Sequence, residues 1–169
     1  MVQLPSGLKR YNESTGKSIS SSAETNDFTS FGAAPGGRIG NTLIQKDHIV
    51  YVVEDDTSLR NAVHRLLKCA QYRVLAFASA EEFYSSDFKS SRGCLLLDIR
   101  LPGLSGFELQ EQLLAAGTQM PVIFLTGQDR AGMEEHAMRL GASAYLRKPV
   151  DEDTLLGAIQ LAMESLTIG

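Results

Sequence analysis

The chain is poor in cysteine, carries no excess of positive charge and has no long apolar run. Only Cys69 and Cys94 occur in 169 residues, neither with a CxxC partner, so both read as small buried apolar residues rather than a disulfide or zinc ligands. His48, His64 and His136 are scattered without metal-ligand spacing. A net charge of −4 gives no electrostatic ground for nucleic-acid binding by these residues. No stretch approaches the ~18 apolar residues of a membrane span, and no signal-peptide core opens the chain. A cytoplasmic location is the expectation. What is present suits a globular protein: 43% hydrophobic and 21% charged residues, enough for one domain with a sizeable core.

Residues 1–46 differ from the rest. They are dense in Ser, Thr, Gly and Asn, and GAAPGGRIGNT carries four Gly and a Pro. Such a segment buries too little surface to offset its ordering entropy, and it reads as a disordered tail. Gly16-Lys17-Ser18 matches the end of a phosphate-binding loop, but the opening Gly would fall at Tyr11 and no buried strand precedes it. Asn12-Glu13-Ser14 fits a glycosylation sequon, which is irrelevant without a secretory route.

From Ile49 the pattern changes to short apolar runs alternating with helical periodicity. Ile49 to Val53 is a β-branched strand ending in Glu54-Asp55-Asp56, and Asp56 or Thr57 caps a helix running to about Ala70. A second strand spans Arg73 to Ala78. Ser79 caps a short helix with Phe83 and Tyr84, and 87–92 reads as polar loop. Leu95-Leu96-Leu97 is a strand buried on both faces that ends at Asp98. A third helix covers Gly106 to Ala116, with Phe107, Leu109, Leu113 and Leu114 on or near its inner face. Pro121 to Leu125 is a fourth strand ending at Thr126, and a fourth helix spans roughly Arg130 to Leu140. Ala144 to Leu146 is a fifth strand before Lys148-Pro149. Asp151 or Asp153 starts a last helix through Leu155, Ile159, Ala162 and Met163. Five strands alternating with five helices predict an α/β fold, a doubly wound parallel sheet covered on both faces.

In such a sheet the carboxyl ends of all strands share one edge, where ligands bind. An acid at one strand end is usually a helix cap. Here Glu54 and Asp55 follow the first strand, Asp98 the third, Thr126 the fourth and Lys148 the fifth, and that convergence predicts a site. Three carboxylates ~5 Å apart at an effective dielectric of about 20 repel by roughly 3 kcal/mol per pair. Such a cluster calls for a cation, and hard oxygen donors suit Mg²⁺. A metal and a lysine flanking a carboxylate are the parts needed to transfer a phosphoryl group onto it. Asp98 is then the nucleophile, forming an aspartyl-phosphate, and Thr126 a hydrogen-bond donor to a phosphoryl oxygen.

The motifs VVEDD, LLLDIRLPGLSG, IFLTG and YLRKP resemble those of the receiver domain of bacterial two-component response regulators, nearest to the FixJ-like subfamily. The resemblance covers residues 47–166 and implies the strand order 2-1-3-4-5. It makes Asp98 the phosphoacceptor, with Thr126 and Lys148 reading the phosphoryl group. Glu54, Asp55, Asp98 and the Arg100 carbonyl become the Mg²⁺ ligands, and Tyr145 the aromatic that reports the switch. It also implies a cis Lys148-Pro149 bond, and places Arg100 and Gln128 where phosphoryl lifetime is tuned. Glu54 departs from the commoner Asp.

The expected function is a phosphorelay switch rather than a turnover enzyme. A histidine kinase or phosphotransfer protein would be the donor. The face of the fourth helix, fifth strand and fifth helix would bind a partner or form a homodimer. Residues 167–169 carry no effector domain, so the alternatives are a stand-alone receiver or the receiver of a truncated helix-turn-helix regulator. A receiver-like module that never takes phosphate is a further reading. A dehalogenase-like phosphatase is disfavoured, because it needs an acid where Arg100 stands.

Overall fold

The parity of the apolar residues decides how the sheet is covered. In the computed structural model, which describes residues 48–166 apart from Ser91, five parallel strands form one sheet. They are β1 (Ile49–Val53), β2 (Arg73–Phe77), β3 (Gly93–Asp98), β4 (Val122–Thr126) and β5 (Ala144–Arg147). Their order is β2-β1-β3-β4-β5. The expected tail at 1–46, with its two near-motifs, and the end at 167–169 lie outside the described residues.

Successive side chains on a strand point to opposite faces. Tyr51, Val53, Leu95, Leu97 and Phe124 therefore pack on one face, beneath α2 (Ala80–Tyr84), α3 (Gly106–Ala115) and α4 (Met133–Arg139). Val50, Val52, Leu96, Ile123 and Leu125 pack on the other, beneath α1 (Thr57–Cys69) and α5 (Glu152–Ser165). β1, β3 and β4 are buried along their whole length, as their unbroken apolar runs require.

Helix starts follow the caps. Asp56 accepts from the Leu59 amide, Ser79 from Glu82, and Asp151 from Thr154. Ser105 and Glu108 form a reciprocal capping box at α3. The exception is α4, which begins at Met133 instead of Arg130. Its first residue follows Gly132 at φ 84°, with no side-chain cap, so nothing draws the preceding residues into the helix.

Three expectations about side chains are corrected. Cys69 is exposed while Cys94 is buried: Val63 and Leu67 form the buried stripe of α1, and Cys69 turns away from it. Burial pushes the Cys94 thiol up to about 12, so it stays protonated. Leu114 is 47% exposed, one position round from the buried Leu113. The 87–92 loop is less polar than it reads, because Phe88 opens a 3₁₀ turn (Phe88–Ser90) and stacks on Phe83 at 4.6 Å between ring centroids. Among the described residues no helix is long and apolar enough to cross a membrane.

Candidate functional site

Among the described residues, the buried polar side chains are Glu54, Asp98, Gln110 and Thr126. Gln110 is structural: its amide donates to the Leu140 carbonyl at 2.9 Å, satisfying the C-terminal end of α4. The other three stand at the carboxyl ends of β1, β3 and β4. The sheet register makes this unavoidable, since Val53 lies beside Leu97 and Asp98 beside Leu125.

Lys148 joins two of them. Its backbone amide donates to the Thr126 carbonyl at 2.7 Å, and the Lys148-Pro149 peptide is cis. The ammonium donates to Glu54 Oε2 at 2.6 Å and to Asp98 Oδ2 at 2.5 Å. The remaining oxygens are also held. Glu54 Oε1 accepts from the Asp56 amide at 3.3 Å, and Asp98 Oδ1 from the Arg100 amide at 2.8 Å. Both carboxylates are thereby fixed in orientation before any substrate arrives.

Burial works to lower the Lys148 ammonium, but its bonds to Asp98 and Glu54 outweigh that and leave it raised. Burial, with the charge of Asp98 added, pushes the Glu54 carboxyl up in spite of Lys148.

Asp55 completes the acid group. One carboxylate oxygen from each of Glu54, Asp55 and Asp98 falls within 4.8 Å of the others, with Asp55 exposed. Three carboxylates against one ammonium leave two negative charges over, and every donor is a hard oxygen. That set fits a divalent cation of the Mg²⁺ kind, entering from the solvent side beside Asp55.

Not every residue read from the sequence meets this cluster. The Thr126 hydroxyl donates to the Gln128 carbonyl at 3.0 Å and accepts from the Gln128 amide at 3.2 Å. The Tyr145 hydroxyl donates to Asp129 Oδ1 at 2.7 Å. Arg100 Nη1 donates to the Gln128 side-chain oxygen. These groups form a rim around the acids rather than part of them. Parity explains the split, because Phe124 and Thr126 share one face of β4 while Leu96 and Asp98 share the opposite face of β3.

Three supporting residues escaped the sequence reading. Arg60 Nη1 donates to the Glu54 and Asp55 carbonyls at 2.7 and 3.1 Å, holding the turn that presents both acids. Glu81 Oε1 accepts from the Leu104 amide at 2.8 Å, tying α2 to the turn after Asp98. Asp129 clasps Tyr145 and Arg147. Arg60 was signalled by lying one helical turn after the cap Asp56. The other two bonds link segments far apart in sequence.

The sequence pattern described as the response regulator receiver domain matches residues 50–160. Nodulation protein W of Bradyrhizobium diazoefficiens is 40% identical over 128 residues, which are 76% of this chain and 56% of that protein. Response regulator protein TmoT of Ectopseudomonas mendocina is 34% identical over 76% of this chain and 59% of its own length. Among solved structures, response regulator StyR aligns with a TM-score of 0.69 at 38% identity, covering 72% of this chain and 62% of that one. FixJ-N aligns at 0.65 and 31% identity, covering 70% and 95%. The chain thus spans somewhat over half the length of these curated relatives.

Proposed function

The chain belongs to the response regulator receiver domain family, and from that premise we propose that Asp98 accepts a phosphoryl group from a histidine kinase or phosphotransfer protein. The observation that carries this reading is the Lys148 ammonium bridging Asp98 and Glu54, with Asp55 close enough to complete a cation site.

In the transfer, an oxygen of the Asp98 carboxylate attacks phosphorus while the bond from phosphorus to the donor nitrogen breaks. The leaving imidazole takes a proton, and the aspartyl-phosphate remains. The chain's own part is largely electrostatic and positional. Lys148 offsets charge on the incoming oxygens, the Arg100 amide keeps the carboxylate aimed, and Glu54 and Asp55 hold the cation. Glu54, Asp55, Asp98 and the Arg100 carbonyl would hold Mg²⁺, which when bound would supply charge neutralisation for the transferred group. The Thr126 hydroxyl then turns toward the new phosphoryl oxygens, Tyr145 follows, and the face of α4, β5 and α5 changes shape for a partner or a second copy. The protein acts as a cytoplasmic switch, not as a turnover enzyme.

The test is incorporation of phosphate from a small acyl phosphate with Mg²⁺ into the parent and the Asp98→Asn variant. Labelling of the parent alone supports the assignment, and equal labelling of both overturns it. The share of the relatives' length that the chain spans favours a second reading of the output: a receiver that in a longer protein controls a helix-turn-helix domain. Reading the coding region past Gly169 decides between them.

A further inference from the structure

A second polar network lies beside the acid cluster, on the turn that follows β4. Both oxygens of the Asp129 carboxylate are in use. Oδ1 accepts from the Tyr145 hydroxyl at 2.7 Å, and Oδ2 lies 2.8 Å from Arg147 Nε. Arg147 in turn reaches Glu134 Oε2 at 3.2 Å. One residue earlier, Gln128 is gripped by Arg100 through its side chain, and its backbone closes on the Thr126 hydroxyl in both directions. The register sets Thr126 directly beside Arg147 and Phe124 beside Tyr145. Alternation puts Tyr145 and Arg147 on the same face as Thr126, so Asp129 spans the two β5 side chains that flank that hydroxyl.

We propose that Asp129 is a positioning residue for Thr126. By clasping Tyr145 and Arg147 it fastens the 127–129 turn to β5 and keeps the Thr126 hydroxyl closed on Gln128 until a phosphoryl group on Asp98 draws it away. This inference rests on the reading of Asp98 as phosphoacceptor. A hydroxyl has one proton to donate. While the Gln128 carbonyl holds it, no phosphoryl oxygen receives it, so the two arrangements exclude each other. The Tyr145 phenol is pushed up to about 12, by burial first and by Asp129 next, and therefore remains the donor in this contact at neutral pH. The Asp129–Arg147 pair is partly exposed, with 30% and 62% of the side-chain surface accessible, and exposed pairs are weak. The clasp is a bias rather than a lock, and releasing it is expected to change the balance by about three- to tenfold.

The test compares Asp129→Ala, Asp129→Asn and Tyr145→Phe in the full chain, with Leu75→Ala on the exposed side of β2, at the sheet edge opposite β5, as a control. Three-bond couplings that report the Thr126 χ1 angle are measured without Mg²⁺ or phosphodonor, and initial rates of phosphate incorporation from a small acyl phosphate with Mg²⁺. The parent and the control are expected to show one Thr126 rotamer. Asp129→Ala and Tyr145→Phe are expected to show averaging and rates about three- to tenfold higher. Asp129→Asn, which keeps an oxygen for the phenol but loses the charge facing Arg147, should fall between. Unchanged couplings in Asp129→Ala, or slower incorporation, would overturn the proposal whatever Tyr145→Phe shows, since the Tyr145 phenol also meets the Thr126 hydroxyl directly. Should the parent take no phosphate at all, the phosphoacceptor reading fails by itself, and the couplings alone decide the positioning role.

Discussion

Along β3, Cys94 to Leu97 are wholly buried and apolar, and one position later Asp98 is buried almost as deeply and carries charge. β1 makes the same change between Val53 and Glu54. The inner lengths of these strands and their carboxyl ends are therefore neighbours with opposite energetics. The inner lengths gain by excluding water, while the ends give up solvation to hold groups that repel one another. The comparison teaches that stability and chemistry are separable within a few ångströms. Its strongest test pairs two substitutions two residues apart. Leu96→Ala removes a fully buried side chain from the central strand and should cost about 2–5 kcal/mol in urea denaturation, leaving Asp98 competent in the fraction that folds. Asp98→Asn should abolish phosphate uptake yet change stability by less than about 1 kcal/mol, because lost repulsion and lost attraction to Lys148 offset each other.

Gly106 is where the two regions cannot be separated. A Cβ there would stand 2.3 Å from the Asp98 carbonyl oxygen and 3.0 Å from Ile99 Cα, and both neighbours are backbone. Gly106→Ala must push α3 away from the end of β3 and should cost about 1–3 kcal/mol. It should also slow phosphate incorporation, because the displaced atoms carry the Asp98 carboxylate. Normal incorporation in a destabilised Gly106→Ala protein would mean that the acceptor's geometry is set elsewhere.

The sequence discloses the two regions unequally. Apolar runs and parity made the sheet and its two covered faces legible, and the cap Ser79 declared itself by type and place, while Asp56 and Asp151 each stood as one of two candidates. Glu54, Asp55, Asp98 and Lys148 were legible as a group because a parallel sheet brings its strand ends to one edge. Whether Thr126 points at Asp98 or at its own turn was not, since a hydroxyl's direction depends on local backbone that no spacing encodes. Asp129 and Glu81 were hidden for another reason. Each acts on a residue 16 or more positions away, and surface acids near loops are too common to single out. α4 begins three residues later than the sequence suggests, because Gly132 takes a left-handed φ of 84° that ends the turn before the helix starts.

Metal binding should reveal the cost carried by the strand ends. Because Glu54, Asp55 and Asp98 gather in the folded state alone, Mg²⁺ stabilises that state by mass action. At ten times its dissociation constant the gain is about 1.4 kcal/mol, seen as a rise in the melting temperature that a chelator reverses. Asp55→Asn should remove most of it while leaving the metal-free protein almost unchanged, since Asp55 is exposed. Leu96→Ala, by contrast, should shift the melting temperature with and without metal by the same amount.

The smallest effect is a slope. Burial holds the Glu54 carboxyl above its ordinary value of 4.5, so just above that value the folded state binds more protons than the unfolded one. By linkage, the Glu54 contribution is then fully present below about 4.5 and is lost as pH rises through the raised folded value. In chelator, lowering the pH from 7 toward 5 should therefore favour the parent relative to Glu54→Gln, by a fraction of the ~1.4 kcal/mol per pH unit that one proton commands. With saturating Mg²⁺ the sign should reverse, because the cation selects the ionised carboxylate and acid now competes with it. Stability measured by denaturant titration at several pH values, with and without metal, checks both signs. An inner-strand variant such as Leu96→Ala should shift every point equally and reverse nothing, which separates a region that only packs from one that titrates.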